Sequence, residues 1–158
     1  MVTTIISDFG QVILLPKDPK YTGELNPLHR RLSRQPDYDI QDHFRLDYDV
    51  LRYFYGFKGK FGLYIYTSGT MHEDIGVKPQ LEPIFDGIIS AEQCSHSKRN
   101  PACYLALSAM LGGEPENMVF IDDSAANIEA ARSANFRTVQ YRHSLEQLMH
   151  DVDVELHR

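Results

Sequence analysis

Six residues could act together on a phosphorus centre: Asp8, Thr67, Ser68, Lys98, Asp122 and Asp123. Asp8 ends the apolar run "TTIIS" and opens "DFGQV". Thr67 and Ser68 stand at the end of the second run, within "YIYTSGT". The pair Asp122–Asp123 closes an apolar run in "FIDDSAAN", and Lys98 stands in "SHSKRNPACY". A carboxylate can attack phosphorus and form an acyl-phosphate, which splits one difficult displacement into two easier ones. Bringing it against a phosphate anion requires intervening positive charge. Asp8, Asp122 and Asp123 offer hard oxygen ligands of the kind that suit magnesium (Mg2+). Such an ion screens the acids from one another and polarises the phosphoryl oxygens. Lys98 would stabilise charge on the transferring group, and Thr67 would donate a hydrogen bond to it. Gly10 allows an unusual backbone geometry, and its carbonyl is a further candidate metal ligand. Gly10 and Ser68 join Thr67 and Lys98 as candidate substrate contacts.

The elements that must hold these residues are readable as apolar runs between turn signals. Strands are expected at 3–7, 62–67, 87–90, 118–122 and 137–141. They are nearly continuous in apolar residues, the pattern of parallel strands covered on both faces. Helical spacing falls between them. Val50, Leu51, Phe54 and Phe57 mark a helix over 47–57. Asn100 and Pro101 open one over 100–111, which Gly112 and Gly113 stop. Ile128, Ala131 and Ala134 form an inward stripe over 124–136, and Ser144 caps a last helix over 144–152. Alternating strands and helices predict an α/β fold with a doubly wound parallel sheet. In such sheets ligands sit beyond the carboxyl ends of the strands, where the acids and hydroxyls above fall.

The chain has 158 residues and a formal net charge of −6, with 42% apolar and 24% charged residues. The expectation is one domain over 1–158 with a substantial core. Its acidic balance argues against a nucleic-acid partner. Two cysteines make no disulfide framework. With no basic leader and no membrane-length apolar run, a cytoplasmic location and no membrane partner are expected. Residues 15–46 differ from the rest: Pro16, Pro19, Pro27 and Pro36 interrupt them, and only a short helix near Leu28–Arg34 is suggested. They read as an insertion after the first strand.

Taken together, these motifs resemble the haloacid dehalogenase-like (HAD) hydrolases, with features of subfamily IA. That family's first motif is Asp-x-Asp-x-Thr/Val, matched by "DFGQV" (8–12) except at the second acid. Its second is a Thr or Ser closing an apolar strand, matched by Thr67. Its third is a Lys shortly before a helix, often Lys-Pro-x-Pro, and "KRNP" (98–101) keeps the Lys and the last Pro. Its fourth is an acidic pair with a later Asp, matched by "DDSAAN" (122–127) with Asn127 at the later position. The order and spacing agree along nearly the whole chain outside 15–46. The resemblance implies a Rossmann-like core, magnesium dependence and an aspartyl nucleophile at Asp8; the substrate expected is a small phosphorylated molecule or a phosphoprotein.

Two departures matter. The second acid of the first motif protonates the leaving group and then activates water; here that position is Gly10. Losing a general acid/base costs on the order of 10²–10⁴ in rate. A degenerate family member that binds phosphate or a partner without catalysis is therefore one alternative. A dehalogenase, whose halide leaving group needs no proton, is another, although an acidic pair set for magnesium suits phosphate better. Second, 15–46 occupies the place of a helical cap domain but is short for one, which implies a reduced cap and an open site. A signalling receiver domain also uses acids, a hydroxyl and a lysine, but in the reverse chain order.

Other features read more plainly. Cys94, His96 and Cys103 lack the paired spacing of a zinc site. The basic stretch at 29–34 is expected to be a solvated helix face. Tyr48, Tyr53, Phe54, Tyr55 and Phe57 are expected to pack in the core, and Phe9 could pack or line the site.

Overall fold

The computed structural model describes residues 1–158. Strand β1 (Thr4–Ser7) leads through a turn to β2 (Leu14–Pro16), then helices α1 (Leu25–Leu32) and α2 (Ile40–His43), strand β3 (Phe44–Leu46) and α3 (Tyr48–Tyr55). The second half runs β4 (Gly62–Thr67), α4 (Lys78–Leu81), β5 (Gly87–Ser90), α5 (Pro101–Leu111), β6 (Met118–Asp122), α6 (Ala125–Ser133), β7 (Arg137–Gln140) and α7 (Leu145–His157). Five strands form one parallel sheet in the order β5-β4-β1-β6-β7. No helix is long and apolar enough to cross a membrane.

The continuous apolar strands are explained by cover on both faces. Along β1, Ile5 joins one buried cluster and Ile6 the other. Along β6, Val119 and Ile121 face the first cluster, while Met118 and Phe120 face the second. Helices α3 and α7 supply the first face through Val50, Leu51, Phe54, Leu148 and Val152. Helices α5 and α6 supply the second through Tyr104, Leu107, Ile128 and Ala131. Fully burying each large apolar side chain is worth roughly 1.5–3 kcal/mol.

Helix starts follow their capping residues. Asp47 accepts from the backbone N–H groups of Asp49 and Val50, both at 3.1 Å. Asn100 accepts from Ala102 at 3.0 Å, and Gly112 ends the same helix with φ 69°. Ser124 and Ser144 cap α6 and α7.

Several expectations need correction. The α1 helix starts at Leu25 rather than Leu28, because Pro27 falls in the first turn, where its missing N–H costs nothing. Residues 15–46 hold more order than their composition suggests. They leave and return on a two-stranded antiparallel ribbon that pairs Leu14 with Leu46 and Pro16 with Phe44. Helix α7 continues to His157, since no glycine or proline interrupts it. Tyr48 and Tyr55 are exposed, on the outer side of α3 away from Phe54. Gly10 is not left-handed; the left-handed residue of that turn is Gln11, with φ 62°.

Candidate active site

The sheet topology brings the polar strand ends together. From central β1 the chain steps to β4 and β5 on one side, then crosses to β6 and β7 on the other. The carboxyl ends of β1, β4 and β6 therefore meet where the winding changes direction, the usual place for a ligand in such sheets. Ser7 pairs with both Ile65 and Ile121. One residue further on, Asp8 stands beside Asp122, and its N–H donates to Ile121 O at 2.8 Å.

Carboxylate oxygens of Asp8, Asp122 and Asp123 lie within 4.8 Å of one another. Lys98 bridges two of them. Its Nζ is 2.9 Å from Asp8 Oδ1, 2.9 Å from Asp122 Oδ2, and 3.2 Å from the Tyr66 carbonyl. The same ammonium lies 5.2 Å from the centre of the Tyr66 ring and 5.4 Å from that of Phe120, close enough for cation–π attraction. Its loop is held from behind, where the buried Tyr104 hydroxyl donates to the Lys98 carbonyl at 2.8 Å.

Asp122 is wholly buried, and its partners keep it oriented. It accepts from the Ser124 N–H at 2.8 Å and from Asn127 Nδ2 at 3.0 Å. Asp123, by contrast, lines an open cavity of about 630 Å³ together with Asp8, Gly10, Thr67, Ser68 and Lys98. Thr67 is buried at the end of β4, and its Oγ1 accepts from the Gly69 N–H at 3.3 Å. All seven residues singled out from the sequence thus converge on this cavity or on its floor.

The electrostatics follow from burial and crowding. Burial pushes the Asp8 carboxyl up to about 7, the Asp122 charge adds to this, and Lys98 opposes it. Asp123 rises to about 6 for the same first two reasons. Burial works to lower the Lys98 pKa, but Asp8 and Asp122 outweigh it and hold Lys98 above the usual lysine range. Three acids sharing one lysine leave a net negative pocket that suits a divalent cation.

Sequence reasoning missed the far wall. Glu24, Leu25 and Asn26, at the start of α1, line the same cavity, as do Gln11 and Arg99. The only signal for Glu24–Asn26 was their place in the inserted segment. Phe9 lines the cavity and is also core, buried edge-on to the His72 ring. Arg30, Arg31 and Arg34 are exposed and outside the cavity.

The sequence matches the family profile of haloacid dehalogenase-like hydrolase over residues 27–135. Among curated proteins it is 31% identical over 81 residues to enolase-phosphatase E1 of Methylococcus capsulatus. That alignment takes in 48% of this chain and 35% of the relative. It is 36% identical over 59 residues to hexitol phosphatase B of Escherichia coli, in 37% of this chain and 27% of the relative. The chain therefore matches only about a third of the length of these relatives. In three dimensions it is similar to a HAD family enzyme of Bacteroides thetaiotaomicron, solved with magnesium and inorganic phosphate. The TM-score is 0.70 at 16% identity, over 94% of this chain and 99% of that one. A subfamily IA hydrolase of Geobacter sulfurreducens gives 0.65 at 16% identity, over 89% and 87%. With the profile spanning well over half its length, the chain belongs to the haloacid dehalogenase-like hydrolases.

Proposed function

We propose that this hydrolase cleaves phosphate monoesters through an aspartyl-phosphate on Asp8, with magnesium as its cofactor. The observation that carries the reading is the shared lysine, with Lys98 Nζ at 2.9 Å from both Asp8 and Asp122 beside a third acid. A lysine paired with one acid is a salt bridge. A lysine among three acids at the floor of a cavity leaves excess negative charge and carboxylate oxygens for an ion. The donor set fits magnesium: Asp8, Gly10 and Asp123 line the cavity, with Asp122 fixed behind them. Bound there, the ion would screen these acids and polarise the phosphoryl oxygens.

The chain's own residues divide the remaining work. One carboxylate oxygen of Asp8 attacks phosphorus, while Lys98 keeps that carboxylate aligned through the other. Lys98 and the Thr67 hydroxyl stabilise charge on the equatorial oxygens. Ser68 contacts the phosphoryl group at the rim. Asn127 and Ser124 orient Asp122, which in turn holds Lys98. Segment 15–46 acts as a reduced cap and contributes one wall. A phosphatase reading is supported by the names of the curated relatives and by the magnesium and phosphate bound to the Bacteroides enzyme. Carbon–halogen hydrolysis would have no use for a cation, so the acid cluster speaks against it. The substrate is a small phosphorylated molecule or a phosphoprotein.

Hydrolysis of p-nitrophenyl phosphate tests the reading. Turnover is expected with magnesium, is lost on chelation, and is lost in Asp8→Asn. An Asp8→Asn variant as fast as the parent overturns the mechanism. Gly10 motivates a second reading, a binding protein without turnover. Beryllium fluoride with magnesium would then raise the Tm while a broad panel of phosphate esters stays intact.

A further inference from the structure

Alkoxide is a poor leaving group, so an alkyl phosphate monoester needs a proton donor near Asp8, and the turn after β1 carries none at position 10. Accepting Asp8 as the nucleophile, we propose that Glu24 of the inserted segment is the general acid/base of this site.

Four contacts fix its place. A side-chain carbon at position 10 would have Leu25 as its nearest neighbour, at 3.7 Å, so the residue next to Glu24 covers the wall from which an acid would otherwise extend. Gln11, in its left-handed turn, donates from Nε2 to the Gly23 carbonyl at 2.7 Å. The Tyr21 hydroxyl donates to the Glu24 carbonyl at 2.8 Å. The Asn26 side-chain amide lies against Gly69, close enough that a Cβ there would push it aside. The backbone beside Glu24 is thus tied to the turn after β1, which carries Asp8, and the Asn26 side chain rests on the loop after β4, which follows Thr67.

Its side chain is free to work. Its one ionic partner is Arg99, with Nη2 3.6 Å from Oε1, and both side chains are exposed. Such a pair is weak and screened, so substrate can displace it and take the guanidinium as its own partner. Of the other acids lining the cavity, Asp123 belongs to the carboxylate cluster. Glu92 sits on the turn after β5, with its N–H donating to Ser90, and nothing ties it to the wall at position 10.

In the first step Asp8 bonds to phosphorus as the ester P–O bond breaks, and the leaving oxygen takes the proton of the Glu24 carboxyl, giving the alcohol. In the second, the Glu24 carboxylate takes a proton from water as its oxygen attacks phosphorus. The P–O bond to Asp8 breaks, inorganic phosphate leaves, and both carboxyl groups return to their starting forms.

The test compares Glu24→Gln with the parent on p-nitrophenyl phosphate and on β-glycerophosphate, reading kcat/KM, which reports phosphorylation of Asp8. Nitrophenolate leaves without help and alkoxide does not. Loss of about 10²-fold or more on the alkyl ester, with little change on the aryl ester and partial recovery in Glu24→Asp, supports the proposal. Equal losses on both esters would mean a structural role and overturn it, as would no loss on either. A parent whose aryl turnover survives in Asp8→Asn would instead fail the nucleophile reading, and the role of Glu24 would fall with it.

Discussion

Lys98 and Asp8 are 90 positions apart in the chain, yet Nζ of one lies 2.9 Å from Oδ1 of the other, with both side chains largely buried. Asp122 makes the same approach from the neighbouring strand. Removing the ammonium therefore leaves two buried carboxylates facing each other. Lys98→Met should destabilise the ion-free fold by about 3–5 kcal/mol near neutral pH, the cost of stranding buried charge. Without the ammonium, Asp8 rises further above about 7, so the loss should be larger at pH 9, where the parent's Asp8 is ionised, than at pH 7. Urea denaturation at the two pH values checks both size and trend.

The raised pKa of Asp8 gives a second prediction. Its folded value of about 7 lies above the ordinary carboxylate range. The folded state therefore holds this proton more tightly than the unfolded one. That contribution to stability is complete below about pH 4 and is lost as pH rises through 7. Ion-free protein should lose stability across this window, and Asp8→Asn should flatten the slope. A divalent cation favours the ionised form, so binding near pH 6 should release protons. Calorimetry in buffers of different ionisation enthalpy measures that release.

Gly10 offers a gain-of-function test. Its φ is not left-handed, and a Cβ there meets nothing closer than Leu25 at 3.7 Å. Gly10→Asp should fold and place an acid beside Asp8. In the Glu24→Gln background it should restore alkyl-phosphate turnover by about 10²-fold, the scale of one general acid. Steady-state kinetics on β-glycerophosphate gives the answer.

Asn127 supports the site from behind, donating to Asp122 Oδ2 at 3.0 Å. Asn127→Ala should weaken magnesium binding by about 10–100-fold, the usual cost of losing a hydrogen bond that orients the residues behind a metal site. Titration by calorimetry reports it, with thermal melts to show that the fold survives.

The floor of the site was legible in the sequence because strand ends are. Asp8, Thr67 and Asp122 each stop a buried apolar run, and parallel pairing in register aligns such stops automatically. Lys98 was legible through the proline-headed helix that follows it. The opposite wall was not. Glu24 lies in a proline-interrupted segment without periodicity, and its position depends on Tyr21, Gln11 and Asn26 contacts that no local pattern encodes. The ribbon Leu14–Pro16 with Phe44–Leu46 was equally hidden, since three-residue strands are too short to show alternation. At the turn after β1, glycine drew attention to position 10, whereas the left-handed backbone belongs to Gln11.

The central claim is covalent, and it is tested most directly by trapping the intermediate. Protein mixed with magnesium and p-nitrophenyl phosphate, quenched in acid within the first turnover and digested, should yield a phosphorylated peptide containing Asp8. The label should be discharged by hydroxylamine and absent in Asp8→Asn. Release of a full equivalent of nitrophenolate with Asp8 unmodified at every quench time would contradict the account.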